Sequence, residues 1–148
     1  MIWWKAMPAV HRFRLFTLGR RIRNALKVLV PAIVLVLAGC RIAPVYEVQQ
    51  APVTSARAAS AADVERAIRT AGAGLGWQMV PRGPGTIEGL LILRDHRAVV
   101  DIKYDTKSYS IKYKDSSNLG YDGSNIHPNY NGWVQRLDQG IRAQLSAL

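Results

Sequence analysis

Apolar side chains in the second half of the chain recur at helical spacing in two separate segments. An apolar residue at every third or fourth position places one apolar stripe along a helix. Ser60, followed three residues later by Asp63, predicts an N-terminal cap for the first of these helices. The two stripes consist of Val64, Ile68, Ala71 and Leu75, and of Tyr130, Trp133, Val134, Leu137, Ile141 and Leu145.

The segment between these helices instead alternates apolar and polar side chains, which is typical of half-buried strands. Strands are predicted at 86–93, 96–104 and 108–114, with a short additional strand at 77–80. Turns at 94–95 and 105–107 are short enough to join antiparallel neighbours. The element order α-β-β-β-β-α predicts an α+β fold: a two-layer sandwich in which an antiparallel meander of three to four strands carries both helices on one face.

Residues 1–39 differ from the rest of the chain in charge and in apolar pattern. They hold seven basic residues and no acid, and they include an apolar run of 11 residues at 28–38. A basic segment, a short apolar run and small residues at its end are typical of a secretory signal peptide. Either Met1 or Met7 fits as the start, and the residues around Arg20-Arg21 fit twin-arginine export poorly. A membrane-spanning anchor is the alternative, but a spanning helix needs about 20 apolar residues.

Cys40 is the single cysteine of the chain, and it directly follows Leu37-Ala38-Gly39. This tetrapeptide resembles the lipobox of bacterial lipoproteins, which implies cleavage between Gly39 and Cys40 and acyl chains, such as palmitate, on the cysteine. A reactive thiol and an intermolecular disulfide are the alternatives for a lone cysteine in an exported protein. Such proteins often carry Asp after the cysteine when they stay in the inner membrane. Arg41 stands there instead, so we expect the periplasmic face of the outer membrane, with the inner membrane as the alternative.

The net charge of +10 would ordinarily suggest a nucleic-acid partner. However, only 13 of the 20 basic residues follow residue 39, against all 10 acids, so the exported part carries about +3. No nucleic acid is therefore expected as a partner. Residues 40–59 include Pro44 and Pro52 and have no helical or strand period, which predicts an extended tether reaching about 60 Å before a domain at 60–148.

Few polar residues in the predicted domain have the spacing of a chemical site. Asp115, Ser116 and His127 are the residue types of a hydrolytic triad, but no nucleophile-elbow pattern surrounds the serine. The competing interpretation is that these side chains and Asn118 bond the local backbone and fix the loop. No catalytic residue, metal site or cofactor is assigned, because the remaining histidine of the domain, His96, is also isolated in sequence.

One face of the predicted sheet is left uncovered by the helices. We predict that Leu90, Ile92 and Val99 point outward on this face, among Arg97, Lys103, Lys112 and Lys114. An apolar patch rimmed by charge can mark a protein partner, and the alternative is scattered surface residues without a function. Aromatic residues on the strands and on the second helix are predicted to be core rather than a ligand groove.

A final set of residues carries a family resemblance. The pattern consists of residues 109–116, Asn118-Leu119, Ile126-His127, Tyr130-Asn131 and Trp133-Val134. It is similar to small, uncharacterised lipoproteins of Gram-negative bacteria, and it implies no activity for any single residue. The expected function is a membrane-anchored periplasmic lipoprotein that acts as a binding or envelope-maintenance module with an envelope protein partner. The alternatives are a small hydrolase of envelope material, acting through the Asp115–His127 loop, and a structural spacer; no oligomeric state is indicated.

Overall fold

A computed structural model describes residues 42–148. The predicted signal segment, its predicted cleavage after Gly39 and the predicted lipidation of Cys40 lie outside these residues. Between Ile42 and Leu148, none of the helices combines the length and the apolar character that crossing a membrane requires. The elements are β1 Ala43–Pro44, β2 Val48–Pro52, α1 Ala61–Gly74, β3 Gln78–Gly83, β4 Thr86–Leu93, β5 His96–Tyr104, β6 Ser108–Ser117, β7 Asn125–Ile126 and α2 Pro128–Ser146.

Five of the strands form one antiparallel sheet in the order β2-β6-β5-β4-β3, and β1 pairs with β7 in a separate two-stranded sheet. Strands β3 to β6 form the predicted meander, with both short turns in their predicted places. One irregularity interrupts the pairing of β5 with β6. Val99 pairs with Asp115 and Val100 pairs with Tyr113, so Lys114 is an extra residue on β6 and forms a β-bulge.

The α+β class is confirmed, but the predicted strand number and element order are wrong. Two additional strands, β1 and β2, precede the first helix, and they occupy part of the segment that was predicted to be a tether. Val48 pairs with Ile111 in the core, and Ala51 is also buried. A register shift between Val48 and Ala51, with Gln50 at a φ of +50°, breaks the alternation that would have indicated a strand.

Both helices begin with side-chain caps. Ser60 Oγ accepts the backbone N–H of Asp63, and the Asp63 carboxylate accepts the N–H of Ser60, so the predicted cap is confirmed. Helix α2 begins at Pro128, which is favoured in the first turn because proline has no N–H to leave unpaired. The ring of His127 accepts the N–H of Asn129 at 3.2 Å and caps this helix.

The helices and the sheet share one apolar core. Two buried tyrosines of the sheet also form hydrogen bonds with the helices. The Tyr104 hydroxyl donates to Glu65 of α1 at 2.8 Å, and the Tyr109 hydroxyl donates to Asp138 of α2 at 2.5 Å. Tyr104 and Tyr109 are cross-strand partners, so both contacts lie on the same face of the sheet. The fully buried aliphatic residues include Val64, Ile68, Ile87, Val100, Ile102, Ile111, Val134, Leu137 and Ile141.

Candidate functional site

The side chains that alternate with the helix-contacting positions form the second face of the sheet, which we name the open face. The register places Glu88 opposite Asp101, Leu90 opposite Val99 and Ile92 opposite Arg97, so these pairs share it. The apolar and charged residues of the open face are Val80, Arg82, Glu88, Leu90, Ile92, Arg97, Val99, Asp101, Lys103, Lys112, Lys114 and Asp115.

A network of four charges crosses the middle of this face. The Glu88 carboxylate on β4 accepts hydrogen bonds from Arg82 Nη2 at 2.6 Å and from Lys114 Nζ at 2.8 Å. Lys114 Nζ also donates to Asp101 Oδ1 at 2.9 Å. Hydrogen bonds from Lys114 and then from Arg82 lower the pKa of Glu88 to about 2. Glu88 and Asp101 in turn raise the pKa of Lys114. Lys114, on the β-bulge, thus links β6 to its neighbour β5 and, across β5, to β4, so three ion pairs hold these charges in place.

A second ion pair lies beside the bulge. Arg97 Nη1 contacts Asp115 Oδ2 at 2.6 Å, and the other oxygen of Asp115 accepts the N–H of Ser116 at 2.8 Å. These contacts, with Arg97 as the larger cause, lower the pKa of Asp115. Asp115 therefore belongs to the open face through an ion pair.

The predicted apolar patch is smaller than expected. Ile92 is 58% exposed, but Leu90 is half-buried and Val99 is only 4% exposed. The prediction that Val99 is part of an exposed patch is wrong. Its cross-strand neighbours are Leu90 and Asp115, and the paired Asp115 and Arg97 side chains flank it, so their stems shield it from water.

Two cations of the open face remain available to a partner. Lys103 and Lys112 are exposed, and no carboxylate in the described part of the chain lies within ion-pair distance of either ammonium group. Lys114, by contrast, already forms ion pairs with Glu88 and Asp101. The accessible features of the face are therefore two apolar side chains, Ile92 and the 40% exposed Val80, and two unneutralised ammonium groups beside the charge network.

Apart from the adjacent pair Asp115 and Ser116, the residues of the predicted polar loop site form hydrogen bonds with different neighbours. Ser116 Oγ lies 3.0 Å from the Tyr113 hydroxyl, whereas the ring of His127 caps α2. Asn118, at a φ of +59°, donates its side-chain amide to the carbonyl of Asp95 at 2.7 Å. Within residues 42–148, no hydrogen bond joins Ser116 to His127. These contacts support the interpretation that the polar side chains fix the local backbone.

His96 is not isolated in the fold, although the sequence suggested that it was. Its ring lies 6.4 Å from that of His127 and 6.3 Å from that of Trp133, measured between ring centroids. His96 Nδ1 donates to the carbonyl of Asn118 at 2.8 Å, and His96 Nε2 lies 3.7 Å from Asp95 Oδ1. No cluster of three or more metal-ligand side chains occurs in the part of the chain that the structure describes.

The aromatic side chains largely form the core, as predicted: Trp77, Tyr104, Tyr109 and Tyr130 are all buried. A groove of about 540 Å³ runs along the outer side of α1 and reaches Met79 on β3. Its charged residues pair within the helix, Arg66 with Asp63 at 3.4 Å and Arg69 with Glu65 at 3.6 Å. The groove thus offers fewer unpaired charges than the open face.

Comparison of the chain with protein-family models, with curated proteins and with solved structures finds no match. Among the described surfaces, the open face has the clearest combination of apolar and charged groups.

Proposed function

We propose that this chain is a lipid-anchored periplasmic binding module. In this proposal Cys40 carries the lipid that holds the protein on the periplasmic face of the outer membrane. The domain is a two-layer sandwich that binds an envelope protein through its open face. The supporting observation is that exposed Ile92 and the unneutralised Lys103 and Lys112 lie beside a charge network that is already fixed.

The chemistry of the open face defines the partner that it fits. A partner needs an apolar side chain to pack on Ile92 and carboxylates to neutralise Lys103 and Lys112. Because the network around Glu88 holds its side chains in place, a partner does not have to order them on binding, which lowers the entropic cost of association. The charged rim contributes mainly to the rate and specificity of binding, and the apolar contact contributes to affinity.

The anchor follows from the signal-like segment and the single cysteine. One acyl chain gives only marginal membrane binding, whereas two or more acyl chains hold a protein stably. The modification implied by the lipobox resemblance supplies more than one chain. Replacing Cys40 with Ala in the full-length protein is expected to abolish incorporation of labelled fatty acid. If the Cys40→Ala protein is labelled as strongly as the wild type, the lipid anchor is wrong.

A matched pair of substitutions tests the binding face. Ile92 and Leu93 are neighbours on β4, with exposures of 58% and 49%, but their side chains point to opposite faces of the sheet. We expect Ile92→Asp to abolish in-cell crosslinks to a specific envelope protein and Leu93→Asp to retain them. Unfolding curves for both variants show whether the fold is intact. Equal crosslinking of the wild type and Ile92→Asp would contradict binding through the open face and favour the spacer.

Charge reversal provides an independent test of the same face. Lys103→Glu with Lys112→Glu should slow association with the crosslinked partner and reduce its salt dependence, because both ammonium groups face the partner. Lys107→Glu is the control for each single reversal, Lys103→Glu and Lys112→Glu, since Lys107 is an exposed residue in the β5–β6 turn and the change in net charge is the same. If Lys107→Glu slows association as much as either single reversal, the lysines of the open face act only through the net charge of the protein. The hydrolase alternative predicts instead that Ser116→Ala stops turnover of envelope material without changing the crosslinks.

A further inference from the structure

The fold leaves very little chain between Cys40 and the first strand. Only Arg41 and Ile42 separate Cys40 from Ala43, where β1 begins. Successive Cα atoms are about 3.8 Å apart, so this link spans at most about 11 Å. The long tether expected at 40–59 is therefore replaced by a link that cannot lift the domain away from a membrane in which Cys40 is anchored.

Strand β1 is held by contacts on both sides. Ala43 pairs with Ile126, and the N–H of Val45 donates to the carbonyl of Ser124 at 3.0 Å. The side chain of Asn131 on α2 donates to the carbonyl of Pro44 at 2.8 Å and accepts the N–H of Tyr46 at 2.9 Å. Extending the link by releasing β1 would break all of these bonds. The short link is therefore a property of the folded domain.

Two exposed apolar side chains lie at the two ends of the antiparallel β1–β7 pair. Ile42 is 55% exposed directly before β1, and Tyr121 is 41% exposed in the loop before β7. Tyr121 is held in place, since its ring lies 4.1 Å from that of Tyr113 and its hydroxyl donates to the carbonyl of Gly123 at 2.9 Å. Tyrosine is favoured at membrane interfaces because its ring is apolar and its hydroxyl is polar.

The acidic residue of the same loop, Asp122, is exposed, but its carboxylate bonds to the turn that follows it. The Asp122 carboxylate accepts the backbone N–H groups of Ser124 at 2.9 Å and Asn125 at 2.7 Å. These amides lower its pKa to about 2 and compensate its charge locally. The loop can thus approach phospholipid headgroups without a bare carboxylate between the protein and the lipid.

The opposite end of the sheet is far from this one. His96 begins β5 and stacks on His127, which directly follows β7, whereas the β5–β6 turn at 105–107 lies at the other end of β5. The nine residues of β5 span about 30 Å at roughly 3.4 Å per residue. Thr106 in this turn is exposed and provides a reference position remote from β1.

We infer that the end of the domain formed by β1, β7 and the Tyr121 loop rests on the phospholipid surface, with Ile42 and Tyr121 in the headgroup region. This inference rests on the proposed lipidation of Cys40. The β5–β6 turn then points away from the membrane. The open face stands beside the membrane surface, where a partner can approach it from the side.

Site-specific spin labelling tests this orientation. Because lipidation consumes the single cysteine, a cysteine introduced by Tyr121→Cys, Ile42→Cys or Thr106→Cys is the one free thiol of the lipidated protein. Each protein is labelled with a nitroxide and reconstituted into vesicles of phosphatidylethanolamine and phosphatidylglycerol. Labels at 42 and 121 should be at least twofold more accessible to oxygen, relative to a water-soluble nickel chelate, than the label at 106.

Two readouts separate the failure of this inference from the failure of the anchor. If the lipidated proteins float with the vesicles but all three labels have equal accessibility ratios, the orientation is wrong and the anchor stands. If the wild-type protein does not float with vesicles, the anchor fails and the inference fails with it. Position 42 precedes β1, so its label reports the orientation even if a label at 121 disturbs the stacking on Tyr113.

Discussion

Two buried tyrosine hydroxyls in the same core differ in their hydrogen bonding, and this difference predicts opposite effects on stability. The Tyr109 hydroxyl donates to Asp138 Oδ1 at 2.5 Å, and Asp138 Oδ2 also accepts from Arg142 Nε at 3.0 Å. The Tyr130 hydroxyl is buried and has no hydrogen-bond partner among the described residues. Burial raises the pKa of both tyrosines. Substitution by phenylalanine removes each hydroxyl and keeps the ring.

The expected magnitudes follow from these contacts. Tyr109→Phe removes a hydrogen bond to a carboxylate, which contributes about 1.5–3 kcal/mol, while Asp138 keeps its contact with Arg142; we expect a loss of about 2 kcal/mol. Tyr130→Phe removes a hydroxyl that gives up its hydrogen bonds to water on folding and forms none with the described residues of the protein. Its free energy of unfolding should stay unchanged or rise by about 1 kcal/mol. For a domain of this size, the two melting temperatures should differ by roughly 10 °C or more.

Urea unfolding, followed by tryptophan fluorescence at neutral pH, measures both variants against the wild type. The difference between the variants is the informative quantity, because the two substitutions are chemically identical. A loss of more than about 1 kcal/mol in Tyr130→Phe would refute the reasoning, since it would mean that this hydroxyl has a partner in solution. Equal losses in both variants would refute the importance of the Asp138 contact.

Two further predictions concern pH and backbone conformation. The pKa of the Glu88 carboxyl group falls from its ordinary 4.5 to about 2 in the folded domain. Below about pH 4.5 the unfolded chain therefore binds a proton at Glu88 that the folded domain does not bind. The free energy of unfolding should consequently decline as the pH drops from about 4.5 towards 2. Glu88→Gln should flatten this decline in unfolding curves at pH 6, 4 and 3, and an unchanged slope would contradict the role of the charge network. Gly132→Ala, in α2 with open space at its Cβ, should raise stability by about 0.5–1 kcal/mol. Gly85→Ala should lower stability by about 1–3 kcal/mol, because Gly85 has a φ of +71° and its Cβ would lie 2.9 Å from the Tyr104 carbonyl oxygen. Thermal unfolding checks this pair, and shifts of the same sign would contradict it.

The elements that were predictable from the sequence are those whose signals are local. Helix α1 has an apolar stripe and the capping pair Ser60 and Asp63, and both features are fixed by neighbouring residues. Strands β4 and β5 alternate regularly and join through a short turn. Strand β2 has no such local signal, because Gln50 interrupts its alternation and its stability comes from pairing with β6, some 60 positions away. Such pairing is visible only in the folded chain.

The candidate site was predictable in part for the same reason. Ile92 and the lysines of β5 and β6 follow from simple alternation. Asp115 does not, because strict alternation would place it on the same face as Tyr113. The bulge at Lys114 shifts the register by one residue and brings Asp115 to the open face, where alternation already places Lys114. The ion pair of Asp115 with Arg97 depends on that shift, and a bulge has no clear signal in a single sequence.

The edges of the five-stranded sheet favour recognition through its face rather than through strand addition. Strand β3 forms one edge and contains Pro81, which has no N–H to offer an added strand. Strand β2 forms the other edge, where the irregularity at Gln50 and the terminal Pro52 disrupt the row of donors and acceptors. Such features protect a sheet against pairing with another chain. The proposed protein partner would therefore be recognised by side chains, and the accessible ones include those of Val80, Ile92, Lys103 and Lys112.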